Sequence, residues 1–183
     1  MRKLIAGLLV VAMFFVFAGC NRNAVPNFDD WAIHRQGNIT VRTPTDEVQI
    51  DTGVGYDTEV AILQSTVNDA SVSVAVMQMI DVVPFLRSFG ATEEFIIETS
   101  LPNTLNDGIA GFLAEAGGTV HGRSDGIFNG LQYYRVYGVT DLNDAYFEAR
   151  VFVYADDFYM VKLFWNDANA DIVEPFFQSI RFG

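Results

Sequence analysis

Lysine is nearly absent from this chain: Lys3 and Lys162 are its two examples. Cysteine occurs once, at Cys20, histidine twice, at His34 and His121, and proline five times. One thiol excludes an internal disulfide framework and a zinc–cysteine cluster. Lys plus Arg number 11 against 23 Asp plus Glu, a formal charge of −12. The concentrated positive charge that phosphate binding requires is missing, which argues against nucleic acid as a partner. Phosphate-cradling glycine loops and Cys/His metal spacings are missing too, so no cofactor and no metal is expected. Charged residues at 19% and aromatics at 14% exclude a disordered or low-complexity chain.

What is present begins at the N-terminus. Arg2 and Lys3 precede an apolar run from Leu4 to Phe17, and Ala18-Gly19-Cys20 follows before polarity returns at Asn21. A basic start, a short apolar core and small residues describe an export signal. The run falls short of the ~20 residues that span a bilayer as a helix, so a retained anchor is the weaker reading. Phe17-Ala18-Gly19-Cys20 resembles a bacterial lipobox, with Phe17 in place of the usual Leu. That resemblance implies a diacylglycerol thioether at Cys20 and cleavage just before it; a buried or incidental thiol is the competing reading. Asn21 is not the Asp that favours inner-membrane retention in enterobacteria, so the outer membrane, facing the periplasm or the cell surface, is the expected location. Acyl chains at ~0.8 kcal/mol per buried CH₂ would hold a domain firmly there.

Cleavage removes two of the basic residues and leaves nine against 23 acidic ones, or −14. Anionic headgroups repel such a surface, so membrane contact is expected through the lipid. The expected organisation is a signal over 1–19, a lipidated N-terminus and tether over 20–27, and a single α+β domain over 28–183.

Period-two patterns dominate that domain. Ile39-Thr40-Val41 starts a strand ending at Thr43-Pro44. Val60 to Thr66 and Ser71 to Met79 read as a hairpin turning at Asn68-Asp69-Ala70. Val72, Val74 and Val76 share one face; Ser73, Ala75 and Met77 share the other. Leu131 to Val139, Ala145 to Ala155 and Phe158 to Trp165 read as three more antiparallel strands. On the middle one Phe147, Ala149, Val151 and Val153 form an apolar face that needs cover. Leu101, Leu105, Ile109, Phe112, Leu113 and Ala116 recur at helical spacing, with Ser100 or Asn103 as cap and Gly117-Gly118 as stop. A last helix starting near Asn169 or Asp171 aligns Ile172, Phe176 and Ile180. Thr92 to Thr99 suits helix or strand. The class is α+β: an antiparallel sheet of six or seven strands sandwiched by helices.

Four stretches carry a family resemblance: Ile39-Thr40-Val41-Arg42-Thr43-Pro44, the helix Leu101 to Ala116, Gly126-Ile127-Phe128-Asn129-Gly130-Leu131, and Phe176-Phe177-Gln178-Ser179-Ile180-Arg181-Phe182. In order and spacing they resemble the PsbP-like family, named for an extrinsic subunit of photosystem II. Thr45-Asp46-Glu47 departs from it where an aromatic is usual. The resemblance implies a binding or assembly role and no shared catalytic apparatus.

Candidate chemistry is sparse, and a non-enzymatic protein is expected. Asp51-Thr52-Gly53 matches the aspartic-protease tripeptide, but only one copy is present, so activity would need a symmetric dimer, and Gly53-Val54-Gly55 reads more simply as a turn between strands. Asp167-Ala168-Asn169-Ala170-Asp171 opens like an EF-hand yet has Ile172 where Gly is needed and Gln178 where Glu belongs, so a helix cap is the better reading. Asp141, Asn143 and Asp144 read as a solvated hairpin turn rather than a weak calcium site. His121, Ser124 and Asp125 hold triad residue types too close in sequence for triad geometry.

Aromatics are the remaining signal. Tyr133, Tyr134, Tyr137, Phe152, Tyr154, Tyr159 and Trp165 are the candidate ligand or partner surface; a sheet covered on both sides is the alternative. The expected partners are the membrane, through the N-terminal lipid, and an unidentified envelope protein. The function read from these features is non-enzymatic binding or assembly by an envelope lipoprotein; the alternative is a carrier of an apolar ligand or lipid.

Overall fold

The computed structural model describes residues 31–43, 48–53, 58–67 and 70–183. The expected signal over 1–19, the lipidated Cys20 and tether over 20–27, Pro44 to Glu47, Val54-Gly55 and the turn residues Asn68 and Asp69 lie outside them. In chain order come β1 (Ala32–Gln36), β2 (Ile39–Thr43), β3 (Val48–Gly53), β4 (Thr58–Val67) and β5 (Ala70–Met79). Helix α1 (Val82–Ser88) follows, then a helical turn Glu93–Phe95 and a π-helical turn Ile96–Ser100 that run into α2 (Leu101–Ala116). Four strands come next: β6 (Thr119–Phe128), β7 (Leu131–Thr140), β8 (Ala145–Tyr154) and β9 (Asp157–Trp165). A 3₁₀ turn Asp167–Ile172, α3 (Val173–Gln178) and β10 (Arg181–Phe182) end the chain.

The main sheet has seven antiparallel strands in the order β3-β4-β5-β9-β8-β7-β6, and a small sheet runs β1-β2-β10. The class is α+β, as the sequence patterns predict. Sequence reading places six of these strands, β2, β4, β5, β7, β8 and β9, and misses β1, β3, β6 and β10, along with α1. The first two thirds of β6 are polar on both faces, with little of the apolar alternation by which a strand is recognised.

Apolar side chains fill both faces of the main sheet, so both must be covered. On one face Val136, Phe147, Ala149, Val151, Met160 and Phe164 meet Leu101, Leu105, Ile109 and Phe112 of α2, with Val83 of α1 and Ile96. On the other, Val72, Val74, Val76, Phe152, Tyr159, Val161 and Leu163 meet Ile172, Phe176, Phe177 and Ile180, together with Ile39 and Val41 from β2. The alternation expected in β5 is therefore real. Each side chain of the α2 stripe lies three or four residues, about one turn, from the next, which keeps all four on the core side.

The start of α2 differs from expectation. Neither Ser100 nor Asn103 caps it; the helical path begins at Thr92, whose Oγ1 accepts from the Phe95 amide at 3.2 Å. The wide π turn immediately precedes Pro102, whose ring would clash with the carbonyl four residues back in a regular helix. Gly117 and Gly118 end α2 with φ of 74° and 123°.

One buried network ties the small sheet to the main one. The Tyr159 hydroxyl accepts from the Asn38 amide and donates to Asp157 Oδ2, both at 3.2 Å. Asp157 also accepts from Gln78 Nε2 at 2.7 Å and from the Asp81 amide at 2.8 Å. Burial, partly countered by the Asn38 amide, raises the Tyr159 pKa above its ordinary value, so the hydroxyl stays protonated. Gly37 turns the chain beside this network with φ +55°, and a Cβ there would collide with Gln78. Tyr159→Phe removes the hydroxyl and leaves Asn38 and Asp157 each short of a partner; urea unfolding is expected to show a loss of about 1–2 kcal/mol.

Candidate functional site

The seven aromatic candidates do not form one surface. Phe152 and Tyr159 are fully buried in the α3-side core, which corrects their assignment as surface residues. Tyr154 packs on Phe182 with centroids 5.1 Å apart, and Trp165 stacks on Tyr146 at 5.9 Å. Tyr137 lies over Gly122 and Tyr133 over Gly126, each pair directly opposite across β6 and β7. A Cβ at either position would come to 2.6 Å from the tyrosine hydroxyl, so glycine lets the ring lie flat over the strand and a larger residue would displace it. Tyr134 points to the opposite face and packs against the α2-side core.

Tyr133 and Tyr134 are the two candidates that meet at an opening. They line a cleft of about 330 Å³ with Ile97, Glu98, Leu101 and Pro102 from the helical side. Asp125 and Gly126 of β6 and Gln132 of β7 complete the wall. Its volume lies at the lower end of small-ligand sites. Glu98 and Asp125 are exposed and neither is ion-paired among the described residues. Two carboxylates beside the Tyr134 ring suit a cationic group, which gains Coulomb attraction and ring-face contact together, whereas the Tyr133 ring lies on the opposite face of the sheet against Phe152 and Arg150. Sequence reading misses Glu98 and meets Asp125 only in a triad it rejects, for it leaves the 92–99 stretch between helix and strand and does not see β6.

The remaining motifs resolve as structural. Ser124 pairs opposite Arg135 and Asp125 opposite Tyr134, so their side chains leave opposite faces, and His121 sits in an irregularity between Val120 and Gly122. No triad can form. Asp51–Gly53 lies in regular β3 pairing with Val60, Glu59 and Thr58. In the 3₁₀ turn Asn166, not Asn169 or Asp171, is the cap, with Oδ1 accepting from the Ala168 amide at 3.1 Å. Asn169 is buried and donates to the Ala70 carbonyl at 3.3 Å. Among the described residues no group of His, Cys, Asp and Glu is placed to hold a metal.

Two buried charge sites stand out beneath the helices. On the α3 side, Glu148 accepts from Arg150 Nε at 2.7 Å and pairs with Arg135 Nη2 at 3.1 Å. The Arg150 guanidinium also lies 4.0 Å from the Phe177 ring centroid and 5.1 Å from that of Tyr133. On the α2-side face Lys162 is 2% exposed, and its Nζ has no hydrogen-bond partner. Its neighbours across β5 and β9 and across β8 and β9 are Ala75 and Ala149, whose small size leaves room for the long side chain. Burial pushes the ammonium pKa down to about 8.

Glu148→Ala leaves two guanidiniums facing each other, and a loss of about 3–5 kcal/mol is expected by urea unfolding at pH 7. Lys162 acts in the opposite sense. Its folded pKa lies below the ordinary 10.5, so between about pH 8 and 10.5 the unfolded chain binds the extra proton and stability rises with pH. Below about pH 8 the full penalty is present, about 3 kcal/mol from the size of the shift. Lys162→Met is therefore expected to be more stable at pH 7, with the difference from the unaltered protein shrinking toward pH 10.

No protein-family model matches the chain, and no curated protein matches it by sequence. Among solved structures it is similar to PA94 of Pseudomonas aeruginosa, a protein of unknown function, at 11% identity and a TM-score of 0.45. That match covers 79% of this chain and 89% of the other. It is also similar to cyanobacterial PsbP (CyanoP) from Synechocystis sp. PCC 6803, at 14% identity and a TM-score of 0.48, over 80% and 87% of the two chains.

Proposed function

We propose that this chain is a bacterial envelope lipoprotein, held on the membrane through Cys20, whose PsbP-like α+β domain has a non-enzymatic binding or assembly role. The anchor rests on Arg2-Lys3, the short apolar run and Phe17-Ala18-Gly19-Cys20. The observation that carries the binding role is the open cleft between the 97–102 helical stretch and the β6–β7 hairpin, with Glu98, Asp125, Tyr133 and Tyr134 around it. It offers two carboxylates and the Tyr134 ring, whereas the nucleophile and base that a hydrolase would need do not converge there. The carrier reading has less support, because the two sheet faces are filled by side chains from α2 and α3.

Acylation tests the anchor. Mass spectrometry of the protein isolated from its own cells is expected to show an N-terminus at Cys20 bearing a diacylglyceryl thioether. Cys20→Ala is expected to lose incorporation of labelled fatty acid and to leave the membrane fraction. A chain that begins at Met1 and carries no lipid overturns the proposal.

A further inference from the structure

We propose that the outer edge of β6 accepts an extended, basic segment of a partner protein as an added strand, with the adjoining cleft receiving one of its cationic side chains. This rests on the binding role put forward above and names the chemistry of the partner. β6 is the last strand of the main sheet and pairs with β7 on one side. Over residues 122–128 that pairing is unbroken, so the strand is regular and its other side presents a row of amides and carbonyls that nothing pairs among the described residues. Such a row is a template for a further strand.

Devices that usually blunt an open edge are weak here. The irregularity at His121 is confined to the start of the strand, and β6 contains no proline. Arg123, its one Arg or Lys, is drawn toward α2, where its Nε donates to Asn106 Oδ1 at 2.9 Å. Asp125 lines the cleft, and Ile127, two residues along on the same face, is 74% exposed. An incoming strand with a cation and an apolar residue two positions apart, hence on one face, would set the cation between Asp125, Glu98 and the Tyr134 ring, and the apolar residue against Ile127. A second copy of the chain fits less well, since it would bring another −12 and the same two carboxylates.

The test uses the full chain and two synthetic peptides of about twelve residues, one repeating Lys-Thr-Val-Thr so that Lys and Val share a face, the other Glu-Thr-Val-Thr. The Lys–Val peptide is expected to slow hydrogen exchange in β6, to bind less tightly as salt rises, and to lose about tenfold in affinity against Glu98→Gln/Asp125→Asn. The Glu–Val peptide is expected to leave exchange unchanged. Protection that falls only outside β6, affinity indifferent to the double substitution, no binding of the Lys–Val peptide, or a dimer that already closes the edge in light scattering each overturns the inference. None of those results bears on the acyl anchor, which is read separately at Cys20.

Discussion

The fold turns on a strand that cannot be left uncovered on either side. From Asp157 to Phe164 every residue of β9 is buried, with Phe158, Met160 and Phe164 on one face and Tyr159, Val161 and Leu163 on the other. A sheet built around such a strand needs apolar layers above and below. α2 supplies one layer; α3, the 3₁₀ turn before it and the small sheet supply the other. The Tyr159–Asp157–Gln78 network then fixes where the small sheet docks, because buried polar groups must be paired in one arrangement.

Much of this architecture is legible in the amino-acid order. The helix over Leu101–Ala116 is found with its bounds, since its four buried side chains recur at three- and four-residue spacing and two glycines stop it. The alternation of Val72, Val74 and Val76 against Ala75 and Met77 is found as well. β6 is the instructive miss. Its residues pattern as surface, yet Asn129 and Gly130 take φ of 51° and 82°, the two left-handed conformations of a tight hairpin turn. That dipeptide ahead of the Tyr-rich strand was the available signal for a partner strand upstream.

The site was less legible than the fold for a physical reason. In a doubly covered sheet large rings belong on both faces, so a strand's aromatic content does not say which ring reaches solvent. Phe152 lies in the core while Tyr133, its direct cross-strand neighbour on the same face, is only half-buried, because β7 stands one strand nearer the edge. Exposure here is decided by strand order, and strand order is a property of pairing across the whole chain. Glu98 and Asp125, 27 positions apart by their numbers, come together for the same reason.

Lys162 has a practical corollary for handling the molecule. From Trp31 to Gly183 it is the sole primary amine, and it lies beneath the surface with small neighbours on either side. Reagents that attach through amines, whether dyes, crosslinkers or coupling resins, therefore find no accessible foothold on the native domain. Labelling at this position would report that the sheet had come apart, which makes one side chain a built-in gauge of unfolding.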